Sequence, residues 1–367
     1  MMRFGRIEAY VLGRSLFSVG VALAVISAVI LLVQFVELSR SVGVRAEVSV
    51  SQLFGLTALG MPSLILVLLP FVFLFGCMSA YVSLNRRSEL VAMRAAGVSA
   101  WRFILPTAAA AAVVGVITVT LLNPLAAASN ARFASERARV MDNYLVDTPQ
   151  DVWLRQGDER SQIVIHARDR EIIEGSVVLR GVSLFVYQKD EDGTPQFTRR
   201  LEAAEARLLP GFWRLTDVRE AAAGESSVRS ESLSLRSSLD SESAMERFAS
   251  PEAIAFWRLP AAIRTTEQAG FSASRYQLRF HQLLATPVLF AAMTILAAAF
   301  SLRLVRLGGL AGLAGAGVGL GFVFFFLNEF AGALANADVI PLAAAAWAPP
   351  VIALLSGVTL LCYTEDG

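Results

Sequence analysis

The chain has 367 residues, 55% of them apolar and only 17% charged, with a mean hydropathy of +0.56. Soluble domains carry about 25% charge, so this is the composition of a membrane protein, and a net charge of +1 excludes a global basic field for nucleic acid. The single lysine, Lys189, lies in Tyr-Gln-Lys-Asp-Glu-Asp-Gly, which is no phosphate loop, so ATP hydrolysis through a Walker A motif is excluded. His166 and His281 are far apart, and Cys77 and Cys362 both sit in apolar stretches. Neither a histidine metal site nor a disulfide framework is expected, and no cofactor is called for.

Charge is concentrated in the middle of the chain. Residues 131–280 hold 23 of the 31 acidic and 21 of the 32 basic side chains. Outside them, six apolar runs reach the roughly 18 residues needed to cross a bilayer: Leu16–Val36, Leu53–Ala80, Phe103–Leu122, Leu283–Leu302, Leu307–Leu327 and Val339–Tyr363. The first run is too long for a signal-peptide core and reads as a retained span. The short loops place Arg3, Arg6, Arg14, Arg86, Arg87, Arg94, Arg102, Arg303 and Arg306 on one side, against Arg40 and Arg45 on the other. The positive-inside rule makes the first side cytoplasmic, together with both termini.

The central region reads as β. Period-two alternation marks Val152–Arg155, Gln162–Ala167, Val177–Tyr187 and Phe212–Val218, with Gly181 as a bulge or bend. Turn signals at Gly157-Asp158, Asp192-Gly193, Pro210-Gly211 and Gly224 separate short strands, the spacing of a sandwich or open barrel. Ser250-Pro251-Glu252 predicts a helix start, Pro260 an interruption and Gly270 a stop.

Between spans two and three, Leu90, Met93 and Gly97 have helical spacing, Gly97 suits a helix end, and Ser99 suits the cap of span three. This predicts a short surface helix over about residues 84–98. A positive-inside loop needs only its arginines, Arg87 and Arg94 among them. Glu89 is the odd residue there, and it points to docking of a partner.

In span five, the pairs Gly308/Gly312, Gly315/Gly319 and Gly317/Gly321 fit small-residue helix packing. A nucleotide loop is the poorer reading, since no strand precedes the glycines. Pro62 and Pro70 predict a bent span two. At the outer boundary, Gln34 and Glu37 end span one. Arg40, Arg45, Arg132, Arg137, Arg139, Arg275 and Arg279 form a belt there whose guanidinium forks suit phosphate; snorkelling at the interface is the plainer reading. No His-Glu-x-x-His or Gly-x-Ser-x-Gly motif is present, which leaves a partner-driven transporter subunit or a membrane scaffold or sensor with an outer β domain.

The three-plus-three layout and the run Arg87-Ser88-Glu89-Leu90-Val91 through Arg94-Ala95-Ala96-Gly97-Val98-Ser99 resemble the lipopolysaccharide-export permeases of the LptF/LptG family. So do Phe35-Val36-Glu37, Pro62 with Pro70, Asn123-Pro124-Leu125, Val152-Trp153-Leu154-Arg155, Arg275-Tyr276-Gln277-Leu278 and Pro287. Val-Trp-Leu-Arg, Arg-Tyr-Gln-Leu and the Phe-Val-Glu ending are closer to the LptG branch than to LptF. Gln34 stands where some LptG proteins have lysine, which shifts the expected ionic role to Arg40.

The resemblance implies six membrane helices with an inserted periplasmic jellyroll-like β domain, in the inner membrane of a Gram-negative bacterium. It divides the chain into residues 1–126, 127–270 and 271–367. It implies an LptF-type paralogue, an LptB-type ATPase dimer and an LptC-type bridge protein as partners, and lipopolysaccharide as cargo. It makes Glu89, Arg87, Leu90, Met93 and Arg94 the ATPase-coupling helix and places the lipid among the outer polar residues. The LptF paralogue itself is the nearest alternative. Permeases of the lipoprotein-release or macrolide-export type are further off, because they carry their outer domain after span one.

Overall fold

A computed structural model describes residues 5–42, 49–142, 152–157, 161–173, 176–189, 195–209, 211–222, 227–237, 253–268, 272–304 and 310–365. These fall into two compact units. One comprises residues 1–144, 255–259 and 274–367, and the other residues 145–254 and 260–273.

The first unit is helical: α1 (Arg6–Val42), α2 (Val50–Arg86), α3 (Glu89–Ala95), α4 (Ala100–Ile117), a π-helical turn (Thr118–Leu122), α5 (Asn123–Asp142), α7 (Ser274–Leu304), α8 (Leu310–Asn336) and α9 (Leu342–Glu365). Six stretches among the described residues are long and apolar enough to cross a membrane. The third runs on through α5, so the expected boundary at 126/127 falls inside a helix that continues to Asp142. α2 carries Pro62 and Pro70 within one helical segment, and Ser49 caps it through a reciprocal pair of bonds with Gln52, the capping-box arrangement.

α7 is the centre of the bundle, packed against α9, α4 and α2. Phe73 of α2 and Phe290 of α7 stack at 4.7 Å between ring centroids, and both are fully buried. Close approach is bought with missing side chains. A Cβ on Gly76 would lie 2.6 Å from the Val19 Cα of α1, and one on Gly115 would lie 2.6 Å from the Pro287 Cα of α7. Buried hydroxyls of Thr57, Thr107, Thr294 and Ser301 each donate to the carbonyl four residues back, which satisfies them without water.

The second unit is built on one six-stranded antiparallel sheet: β1 (Val152–Gly157), β2 (Ser161–Ile173), β3 (Ser176–Lys189), β4 (Pro195–Leu209), β5 (Phe212–Ala222) and β6 (Val228–Arg236), each paired with the next. The all-β expectation holds. The described strands lie in a single meander rather than in two facing sheets. Its apolar face gathers Ile165, Leu179, Leu184, Leu201, Leu208, Trp213 and Leu215.

The alternation flips parity at one level across three strands. Buried positions run Val177, Leu179 then Val182, Leu184 on β3; Leu201, Ala203 then Ala206, Leu208 on β4; and Trp213, Leu215 then Val218 on β5. The residues at the flip are Gly181, Ala204 and Asp217, the first and last with φ of +60° and +53°. Arg229 of β6 donates to Asp217 at 2.8 Å. That bond holds the Asp217 carboxyl below its ordinary value.

The predicted helix start at 250–252 and stop at Gly270 lie outside the described residues. Pro260 does not interrupt a helix. A 3₁₀ turn (Phe256–Arg258) leads into α6 (Leu259–Gln268), and Pro260 occupies its first turn, where a missing N–H costs nothing.

Candidate functional site

The surface helix predicted from Leu90, Met93 and Gly97 is α3. Residues of positive φ bracket it: Ser88 at +59° before it and Gly97 at +79° after it. The amide of Val98 donates to the Met93 carbonyl at 3.0 Å and that of Gly97 to Arg94 at 2.9 Å, the αL helix stop predicted for that glycine. Ser99 then accepts from the Trp101 amide and caps α4. At the front of α3, Ser88 makes no side-chain cap.

Each side chain of α3 has a distinct setting. Leu90 is 1% exposed and belongs to the main core with Tyr81, Leu84 and Phe103. Met93 packs against the same core. Arg94 reaches the Thr364 carbonyl in the last turn of α9 at 3.3 Å. Glu89 accepts from the Tyr10 hydroxyl of α1 at 2.9 Å. Arg87 is exposed. Beside them Arg102 pairs with Glu8 at 2.7 Å, and Glu8 also accepts from the Gly5 amide at 2.7 Å. Thus the start of α1, the start of α4 and the end of α9 meet α3 at one end of the unit.

The opposite end carries the other predicted residues. Phe35 and Leu38 of α1, Leu53 and Leu56 of α2 and Phe133 of α5 share an apolar cluster. Near it Gln34 is half-buried, while Glu37, Arg40, Arg132 and Arg137 are exposed. Arg139 lies in α5; Arg45 is outside the described residues. The structure brings these positions to one end and draws no ion pair among Glu37, Arg40, Arg132 and Arg137.

Of the glycines in span five, Gly308 is outside the described residues and Gly312 lies in α8. Contact within the chain falls on the third pair. A Cβ on Gly317 would meet Met78 Sδ at 2.9 Å, and one on Gly321 would meet Phe71 at 3.3 Å. Gly315 and Gly319 face open space. Among the described residues no three His, Cys, Asp or Glu gather into a metal site.

Sequence reasoning missed Tyr10, and it quoted Asn123 only within the Asn123-Pro124-Leu125 match, with no contact assigned to it. Pro124 has no N–H, so the carbonyl of Thr120, four residues earlier, loses its helical donor, and a π turn forms there. The Trp257 indole donates to that carbonyl at 3.2 Å, and the Phe256 amide to Asn123 Oδ1 at 2.7 Å. The Asn-Pro pair was the visible signal for this site; nothing in the spacing announced Tyr10.

The sequence model of the lipopolysaccharide export system permease LptF/LptG family matches residues 9–363. The chain belongs to the LptF/LptG family. Its relatives include the lipopolysaccharide export system permease protein LptG of Escherichia coli (strain K12), 23% identical over 354 residues that cover 93% of each chain. The protein of the same name from Escherichia coli O6:H1 matches with the same identity and coverage. As an LptF/LptG permease with six apolar helices, the chain is a multi-pass protein of the inner membrane, and its family is one of transport permeases.

Proposed function

We propose that this chain is the LptG-type permease subunit of a transporter that withdraws lipopolysaccharide from the inner membrane and hands it to a periplasmic bridge. It pairs with an LptF-type paralogue. A separate LptB-type ATPase dimer supplies the energy, and an LptC-type protein receives the lipid. The single observation that supports this most is α3. It is a short helix at the arginine-rich end, anchored by Leu90 in the core and tied by Glu89 and Arg94 to the first and last spans. A helix so held passes a push from outside into the bundle. In this reading Glu89, Arg87, Leu90, Met93 and Arg94 form the coupling surface, and that end is cytoplasmic.

The exposed Arg40, Arg132 and Arg137, with Arg45 and Arg139, then meet lipid phosphates at the outer end, where Gln34 and Glu37 also lie. A Cβ on Gly315 or Gly319 would meet nothing within 4 Å among the described residues, and these two, with Gly312 and with Gly308 ahead of α8, offer a packing face to the paralogue that opens and closes.

Glu89→Lys tests the coupling reading. A partner cation facing Glu89 would be left against a like charge. Breaking one side of a hydrogen-bonded interface charge pair costs roughly 2–5 kcal/mol, so ATPase recovery on the purified permease pair falls at least tenfold. Release of lipopolysaccharide from proteoliposomes stops, while membrane insertion and pairing with the paralogue persist. Wild-type recovery and release would make Glu89 a solvated surface acid.

A further inference from the structure

Glu89 is the first residue of a seven-residue helix that has no side-chain cap. What fixes it comes from another span. The Tyr10 hydroxyl donates to Oε2 at 2.9 Å, across 79 residues of sequence. Bonds to an ionised acceptor are stronger than neutral ones, and a carboxylate retains acceptor capacity when one oxygen is engaged. Oε1 makes no hydrogen bond among the described residues.

Tyr10 itself is 47% exposed, so its ring does little core packing. Its hydroxyl is the informative part. It is one of three polar links from the opening turns of α1. Glu8 pairs with Arg102 in the first turn of α4, Tyr10 with Glu89 on α3, and Arg14 reaches Ser83 Oγ of α2 at 3.5 Å. Only the Tyr10 link touches α3. At the other end of the same short helix, Arg94 holds the last turn of α9. α3 is therefore fastened to the first span through Glu89 and to the last through Arg94.

We propose that Tyr10 is a positioning residue for Glu89: its hydroxyl holds one carboxylate oxygen, presents the other to a cation on the ATPase partner, and delivers movement of α3 to the first span. This rests on the reading of α3 as the coupling helix. The link is half-exposed and its rupture leaves the core intact, so its loss shows in the efficiency of transport rather than in folding.

The test uses the complete permease–ATPase complex in proteoliposomes loaded with lipopolysaccharide, with preparations matched for ATPase content. Tyr10→Phe keeps the ring and removes only the hydroxyl. The expected result is roughly a tenfold fall in lipid released per ATP hydrolysed, the lower end for a hydrogen bond to a charged group. Because Tyr10 acts through Glu89, the double variant Tyr10→Phe/Glu89→Ala should be no worse than Glu89→Ala alone. Glu89→Gln keeps an oxygen for the hydroxyl, so adding Tyr10→Phe to it should lower release further. Wild-type release per ATP in Tyr10→Phe, or additive defects in Tyr10→Phe/Glu89→Ala, would overturn the positioning role while leaving the coupling helix standing. Wild-type behaviour of Glu89→Lys would remove both.

Discussion

Asn123 is 2% exposed, and its side chain accepts the backbone amide of Phe256. Together with the Trp257 bond to the Thr120 carbonyl it converts a helix defect into an attachment point. Pro124 creates an orphan acceptor, and a segment far along the chain satisfies it. Stacking of Phe256 on Phe280, at 5.4 Å and 8°, adds an apolar contact to the same place. Arg40, Arg132 and Arg137, at the opposite end from α3, present the reverse situation: exposed side chains that draw no ion pair with Glu37. If Arg132 and Arg137 meet lipid phosphate, replacing both with alanine lowers lipopolysaccharide photo-crosslinking severalfold and spares assembly of the complex. If they merely snorkel, whose energetic role is local solvation, crosslinking stays at the wild-type level. Both positions were legible in the sequence as charges bordering an apolar run; what they face was not.

At the level of elements, the sheet departs most from what the residues announced. β4 contains Leu-Glu-Ala-Ala-Glu-Ala-Arg-Leu-Leu, a run of strong helix formers with no sustained period-two alternation to mark it as a strand. Pairing on both edges with β3 and β5 overrides that propensity. The bend at Gly181 was legible because glycine tolerates positive φ. Its counterpart at Asp217 was hidden, since aspartate adopts that region less often. In α8 the spacing of glycines was visible, but three overlapping pairs gave no way to rank their faces. The geometry separates them. Gly317→Val overpacks α8 against Met78 and Phe75 and costs about 1–3 kcal/mol, seen as a lower thermal midpoint of the isolated subunit in detergent. Gly315→Val meets nothing among the described residues and leaves that midpoint unchanged, yet lowers co-purification of the paralogue if this face packs on it. A midpoint depressed equally by both substitutions would contradict the assignment of faces.

Across the whole molecule, the order of spans was readable because a bilayer demands long uncharged runs, and few other folds supply six of them. Side-chain bonds then tie the ends together in a way no periodicity reveals. Tyr10 near the start of the first span, Glu89 after the second and Thr364 near the end of the last gather around α3, so the first and last spans terminate at the same end of the helical unit. On the positive-inside rule, the nine arginines in the short loops predict that this end is cytoplasmic, with residues 127–270 expected on the other side. In a background lacking Cys77 and Cys362, single cysteines at Gly193 and Ser88 test the assignment in intact cells. Gly193→Cys should react with a membrane-impermeant maleimide. Ser88→Cys, beside α3, should react only after the inner membrane is permeabilised. Cys77 is buried against Thr294, so its replacement by alanine removes a weak contact and keeps the bundle. Labelling of Ser88→Cys in intact cells would place α3 on the wrong side for any contact with a cytoplasmic ATPase. Protection of Gly193→Cys until permeabilisation would do the same for a periplasmic hand-over of lipid.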